Sequence, residues 1–356
     1  MKTWDVIIIG GGVIGLSLAW RLRGNGLTVL IVEKGEPGRE ATYAAGGMIA
    51  YCDPHSSPEL ASMMAASARM YPEFVRELRD EAYESPDLRE VGTIAFLAPE
   101  ESPNCADSRA LDDSDLSRLE PLITRRGRAY FLPESSVDPR KLGRALEKAA
   151  RHRGVDFITG TPVTEVAVLG GRATGVRTAK SFYAAGKVVN CAGAWAAQIR
   201  PCEVPTRPVK GQMLCVVPAP GQHSGPRIQH TVRTPEVYII PRSDGRVLLG
   251  ATVEEAGFDK RVDAATVQSL HKAAAEVAPE ISHMRIHDAW AGLRPASPDS
   301  LPILGPTSLA GYYAATGHYR DGILLAPFTA QVMTQVLTGK AVSFDLAPFS
   351  PLRFGG

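Results

Sequence analysis

Residues 5–20 read DVIIIGGGVIGLSLAW: a short apolar run, three glycines, then a second apolar run long enough for a helix. With TVLIVEK (28–34) after them, they predict one βαβ unit, with a buried strand at 5–9, a glycine loop, a helix over about 13–23, a turn at 24–26 and a second strand. The loop satisfies G-x-G-x-x-G, and each glycine in it has its own steric task. Gly10 allows the tight exit from the strand, Gly12 lets a pyrophosphate approach the backbone, and Gly15 lets the helix pack close to the sheet. Free N–H groups at the helix start present the positive end of its dipole to the phosphates. Glu33 ends the second strand, where an acid accepts hydrogen bonds from ribose hydroxyls and repels a 2′-phosphate. A dinucleotide site follows. The unit does not distinguish FAD from NAD, because both present an ADP half.

The whole chain sets the outer bounds. At 356 residues, with 44% hydrophobic and 22% charged residues, it is long enough for two intertwined domains. A formal net charge of +1 without long basic blocks offers no general attraction to nucleic acid or an anionic membrane. No uninterrupted apolar run of membrane-spanning length occurs, and the glycines at 10–12 argue against a signal peptide. Five cysteines (Cys52, Cys105, Cys191, Cys202, Cys215) without any CxxC pair are expected as reduced thiols in a cytoplasmic protein. Cys52 and His55 form a C-x-x-H, but no matching pair follows to complete a zinc site.

Beyond the first unit the chain alternates between two bodies. A helical stretch over about 58–83, a strand at 92–98, a helix followed by a strand and a meander over 135–178, and a buried strand running into a small-residue turn at 187–196 are expected. From 208 to about 287 the text is strand-rich, with GQMLCVV, EVYIIPR and RVLLGAT, before a helix at 264–277. A final strand, a turn containing Gly317 and Gly322, and a helix with an apolar stripe close the chain.

One charge stands out. In WAGLRPASPD (290–299), Arg294 sits among Trp290, Leu293 and Pro295, and a guanidinium that cannot lose its proton needs an anion to face it if buried. The candidates are a structural carboxylate such as Asp299 or Glu255, a cofactor phosphate, or a substrate.

Taken together these motifs resemble the D-amino-acid-oxidase superfamily of FAD enzymes and, within it, the glycine oxidases of thiamine synthesis. The likeness runs along nearly the whole chain, through GGGVIGLSLAWRL with VEK, ATYAAGGM (41–48), VKGQML (209–214), YIIPR (238–242), LLGAT (248–252), WAGLRP (290–295) and GHYRDGILLAP (317–327). The implied fold is α/β: an FAD-binding Rossmann-like βαβ domain of the glutathione-reductase type, intertwined with an α+β substrate domain built on an antiparallel sheet. Residues 1–84, 138–207 and 288–356 would form the first, 85–137 and 208–287 the second.

Carried over by position, the resemblance implies that Val13, Ile14, Glu33, Lys34, Ala41 and Thr42 hold the ADP half and pyrophosphate. Gly46, Gly47 and Met48 would pass along the isoalloxazine, and Val163 would meet the adenine through its backbone. His318, Tyr319, Arg320, Asp321, Gly322, Ile323 and Leu324 would wrap the pyrimidine end, where a helix N-terminus stabilises charge developing near N1 and C2=O. Arg294 would grip the carboxylate of an amino acid in a bidentate pair, Tyr238 would add a hydrogen bond, and Arg320 would serve flavin, substrate or entrance. A tyrosine in a strand also fits a core position, Arg320 a solvated loop charge, and His318 a core histidine without an acid–base role.

The implied reaction is oxidative deamination of glycine, with sarcosine and small D-amino acids as further substrates. Hydride passes from Cα to flavin N5, and dioxygen reoxidises the flavin to give hydrogen peroxide. The imine hydrolyses to glyoxylate and ammonia or enters thiazole assembly. No cysteine follows Cys215 where related sarcosine oxidases attach their flavin, so FAD is expected to be noncovalent. The chain departs from the glycine oxidases at three places: Glu236 replaces a histidine, Val253 a pocket methionine and Ala50 a glycine beside the flavin strand. A cytoplasmic homo-oligomer is expected, with a small amino acid and dioxygen as partners. The alternatives are a D-amino-acid dehydrogenase using a quinone, a flavoprotein acting on modified tRNA uridine, and a non-catalytic nucleotide-binding module.

Overall fold

The first strand, Thr3–Ile9, is buried throughout Val6–Ile9, and its neighbour Val29–Val32 is buried at every position. Such uninterrupted apolar runs suit the middle of a parallel sheet covered on both faces. A computed structural model, describing residues 2–201, 204–219, 228–342 and 344–355, places them there. The sheet runs in the order Ile303–Pro306, Tyr312–Thr316, Phe182–Asn190, Thr3–Ile9, Val29–Val32, Asp156–Ile158. All neighbours are parallel except the first pair, and the hairpin Val163–Leu169/Arg172–Thr178 extends the Phe182–Asn190 strand. The helices Val13–Gly24, Pro58–Ala82, Pro139–His152 and Gly322–Thr338 supply the side chains of one core on this sheet.

The long helix has clear local causes at both ends. Ser57 caps it by accepting the Leu60 N–H, Pro58 takes the first turn where its missing N–H costs nothing, and Tyr83 ends it in the left-handed region at φ 52°. The Ala264–Val277 helix falls where its periodicity predicted it and is capped by Asp263.

A second sheet follows the order Arg285–Ala296, Arg207–Val217, Val247–Gly250, Tyr238–Pro241, Thr231–Arg233, Thr93–Leu97, Arg128–Leu132, Arg109–Leu111. It is antiparallel except where Thr231–Arg233 meets Thr93–Leu97, and the Ala264–Val277 helix packs its apolar side into the core beneath it. Residues 288–296, grouped with the nucleotide unit on sequence grounds, belong to this sheet: Arg285–Ala296 pairs along Arg207–Val217, with Val209 opposite Arg294 and Met213 opposite Trp290. The pattern that sequence reading lacks here is the partner strand, which lies some 80 residues earlier.

The cysteines correct an expectation. Cys52 and Cys105 form a disulfide, with Cα atoms 5.1 Å apart, and are not a pair of free thiols. The fold brings the 50–57 segment against the 98–108 loop, a proximity that a separation of 53 residues hides in the sequence. Cys191 and Cys215 are buried free thiols, and Cys202 lies outside the described residues. His55 faces Glu101 at 3.0 Å. No helix among the described residues is long and apolar enough to cross a membrane.

Candidate active site

The glycine loop is built as its spacing requires. Gly10 adopts φ +101°, and a Cβ there would lie 2.6 Å from the Cys191 carbonyl oxygen, while Gly15 packs directly on the Gly10 carbonyl. Glu33, 7% exposed, fixes the loop from below: its Oε2 accepts the Gly11 N–H at 2.7 Å and its Oε1 the Gly35 N–H at 2.8 Å. Both oxygens retain lone pairs for hydroxyl donors. At the helix start the Val13 N–H donates to Thr42 Oγ1 at 2.9 Å. The Gly12 and Ile14 N–H groups have no protein acceptor among the described contacts and belong to a cavity wall, as an anion site at a helix start demands.

That cavity, about 460 Å³, runs between the two sheets. It brings together Gly12, Val13, Ile14, Ala41, Thr42, Gly46, Gly47, Met48, Tyr238, Arg294 and the segment His318–Ile323. It does not reach Gly10, Gly15, Glu33, Lys34, Val163 or Leu324. Gly10 and Gly15 shape the loop from behind. Lys34 pairs with Glu40 at 2.7 Å and lies 3.4 Å from the centre of the Trp195 ring, and Val163 starts an outer strand of the first sheet. All three departures, Ala50, Glu236 and Val253, are in the cavity wall, Val253 at 55% exposure.

Arg294 is half-buried and has no carboxylate within ion-pair distance among the described residues. Asp299 is taken by Arg353 at 2.7 Å and Glu255 by Arg207. The guanidinium instead donates Nη1 to the carbonyls of Thr252 at 3.0 Å and Lys210 at 3.2 Å, which orient it without neutralising it. It lies across Gly211, where any side chain would collide with it. Tyr238 stands beside it. Burial pushes the Tyr238 hydroxyl above its ordinary range, partly countered by Arg294, so it stays a neutral donor. In the second sheet Trp290, Met213, Gly250 and Tyr238 form one cross-strand row, and a Cβ on Gly250 would meet Met213 and Tyr238 at 2.9 Å.

The opposite wall is the start of the Gly322–Thr338 helix. Pro327, lacking an N–H, leaves the Ile323 carbonyl without its helical donor, and the buried Tyr71 hydroxyl supplies one. One residue on, Ser67 inserts between Phe328 and Leu324, accepting the Phe328 N–H at 3.4 Å and donating to the Leu324 carbonyl at 2.6 Å. His318 is 2% exposed and bonds Thr329 at 3.0 Å; burial holds it near 3, hence neutral. Arg320 is exposed and stacks on Tyr319. Asp321 makes no helix-capping hydrogen bond, and burial, with the negative charge of Asp53 opposite, pushes its carboxyl up to about 7. Sequence reading missed Asp53 and Gly211: no motif marks the first, and the second stood in VKGQML without a visible task.

The donor set fits a dinucleotide carrying a large planar ring: free N–H groups at one end, small residues along the middle, an uncompensated guanidinium over the far end. The family model "FAD dependent oxidoreductase" (DAO) matches residues 5–336. A hydrogen cyanide synthase subunit, HcnC, of Pseudomonas aeruginosa is 31% identical over 99% of this chain and 97% of its own length. A glycine oxidase of the same organism is 32% identical over 97% of this chain and 98% of its own. The solved structure of glycine oxidase from Geobacillus kaustophilus superposes with a TM-score of 0.91 at 32% identity, covering 100% of both chains. This chain belongs to the DAO family of FAD-dependent oxidoreductases, and its cofactor is noncovalently held FAD.

Proposed function

We propose that the chain is an amino-acid oxidase acting on glycine or a close relative, sarcosine or a small D-amino acid. The observation that carries this reading is Arg294, a cation in the cavity wall held by two carbonyls and left without a carboxylate among the described residues. An incoming carboxylate completes it in a planar two-point pair that lysine would not reproduce. Tyr238, a neutral donor at the same end, adds a third point of contact, and together they fix the direction of the Cα–H bond. Bound FAD would supply the hydride acceptor and the route of the electrons to dioxygen, with hydrogen peroxide as the product. The substrate amine reacts as the neutral free base, so the side chains orient and desolvate, and no dedicated base is required. The resulting imine hydrolyses to glyoxylate and ammonia, or feeds thiamine thiazole synthesis.

Ala50, Glu236 and Val253 tune the choice among these small substrates, each contrast being worth about 1–3 kcal/mol per methylene. The test is peroxide release by the purified yellow protein with glycine, sarcosine, D-alanine and D-proline, with Arg294→Ala alongside. The variant is expected to keep its flavin and lose about 2–5 kcal/mol of substrate affinity. Loss of bound FAD with unchanged apparent affinity would assign Arg294 to the cofactor and overturn the reading. The comparable similarity to a hydrogen cyanide synthase subunit favours one second reading, in which glycine gives up two electron pairs in turn, for which bound FAD would be the acceptor, and leaves as hydrogen cyanide and carbon dioxide. Cyanide release without glyoxylate would establish it.

A further inference from the structure

Arg242, the last residue of the YIIPR motif, has no part in the proposed substrate contacts, yet it is the largest fully buried charged side chain among the described residues, at 1% exposure. Its Nη2 donates to the Gly46 carbonyl, while Nε and Nη1 are buried without a partner. The opposing carboxylate, Asp138, is already engaged: it accepts Arg246 Nη2 at 2.6 Å and the Arg140 and Lys141 N–H groups. Burial pulls the Arg242 guanidinium down to about 10, so it remains charged at neutral pH. A cation this well buried and this poorly matched is costly, and the fold keeps it for a reason other than packing.

Among the described residues the guanidinium makes one hydrogen bond, and it shows where the charge acts. Gly46 and Gly47 both line the cavity, whereas Arg242 does not. The Gly46–Gly47 peptide is trans, so its carbonyl and N–H point in opposite directions. With the carbonyl turned back into the protein toward Arg242, the Gly47 N–H faces the other way, and it has no acceptor among the described contacts. Gly47 adopts φ +78°, and a Cβ there would collide with the Val137 carbonyl oxygen and meet Pro139 at 2.8 Å, so the position admits only glycine. We propose that Arg242 is a positioning residue for the flavin: it fixes the Gly46–Gly47 peptide with its N–H toward the ring, and its charge behind that peptide favours the reduced ring. This rests on the reading that 46–48 pass along the isoalloxazine.

The test compares the FAD-loaded native protein with Arg242→Met and Asp138→Asn by flavin midpoint potential, visible spectrum and FAD dissociation constant. Arg242→Met, which keeps the bulk and removes the charge and the donor, should weaken FAD binding about tenfold and move the potential negative. A tenfold change in the oxidised-to-reduced equilibrium is ~30 mV for a two-electron couple. Asp138→Asn, which strips the opposing charge, should move the potential positive. It also serves as the test if Arg242→Met does not fold. A potential within error of native in a folded, yellow Arg242→Met, or an unchanged or negative shift in Asp138→Asn, overturns the proposal. Gly46→Val separates it from the reading beneath it: normal FAD binding by that variant shows that the ring lies elsewhere. Loss of FAD in Gly46→Val with a native potential in Arg242→Met overturns the role of Arg242 alone.

Discussion

At Gly211 the missing side chain is what lets the Arg294 guanidinium lie against the neighbouring strand within reach of the Lys210 and Thr252 carbonyls. Gly211→Ala therefore displaces a charge without removing it. The expected outcome is normal FAD content with a substrate KM raised by about 1.5–3 kcal/mol, the worth of hydrogen bonds to a charged group, checked by steady-state kinetics. Asp321 offers a pH signature. Its carboxyl titrates near 3.8 when unhindered and at about 7 in the fold, where burial and Asp53 raise it and Arg320 partly offsets them. The folded form thus holds a proton that the unfolded chain releases, and stability falls as pH rises from about 4 to about 7. Asp321→Asn removes this slope. Its melting temperature should match the native protein near pH 4 and exceed it above pH 7; equal melting curves across the range would refute the assignment.

Among the elements, the Gly322–Thr338 helix carries a proline where its cavity end must be held still. On the Pro58–Ala82 helix Tyr71 replaces the donor that the proline lacks and Ser67 bridges the next residue pair, so the ILLAP ending of one segment is braced by the hydroxyls of another. Tyr71→Phe leaves a buried carbonyl unpaired. Denaturant unfolding should show a loss of about 1–3 kcal/mol, with Ser67→Ala adding less than its full separate effect because both brace one turn. The helix itself was readable from its 3.6-residue stripe. The brace was not, since 252 residues separate Tyr71 from Ile323.

For the molecule as a whole, the disulfide Cys52–Cys105 joins the segment that bears Asp53 to the loop after the Thr93–Leu97 strand. Closing a loop of 53 residues limits the unfolded chain and contributes about 4 kcal/mol in the chain-entropy account. Reductant should lower the melting temperature by several degrees. Cys105→Ser should reproduce the loss and make the protein indifferent to reductant. The cavity between the sheets likewise belongs to the whole: one wall comes from the glycine loop and 41–48, another from five strands of the second sheet, and a third from residues 318–323.

The nucleotide unit was legible in residues 5–33 because strand, loop, helix and acid are contiguous, and local sterics dictate a glycine at each tight approach. Helix 264–277 was legible for the same reason, since periodicity is a short-range property. The sequence also singled out Arg294 as a cation in want of an anion. Only the tertiary structure decided that Asp299 and Glu255 are engaged elsewhere, that Gly211 makes its berth, that two distant cysteines meet, and that Arg242 reaches the back of Gly46. Each of these depends on pairing between segments far apart in the chain, and which strand lies beside which is fixed by burial of shared surface across the whole molecule.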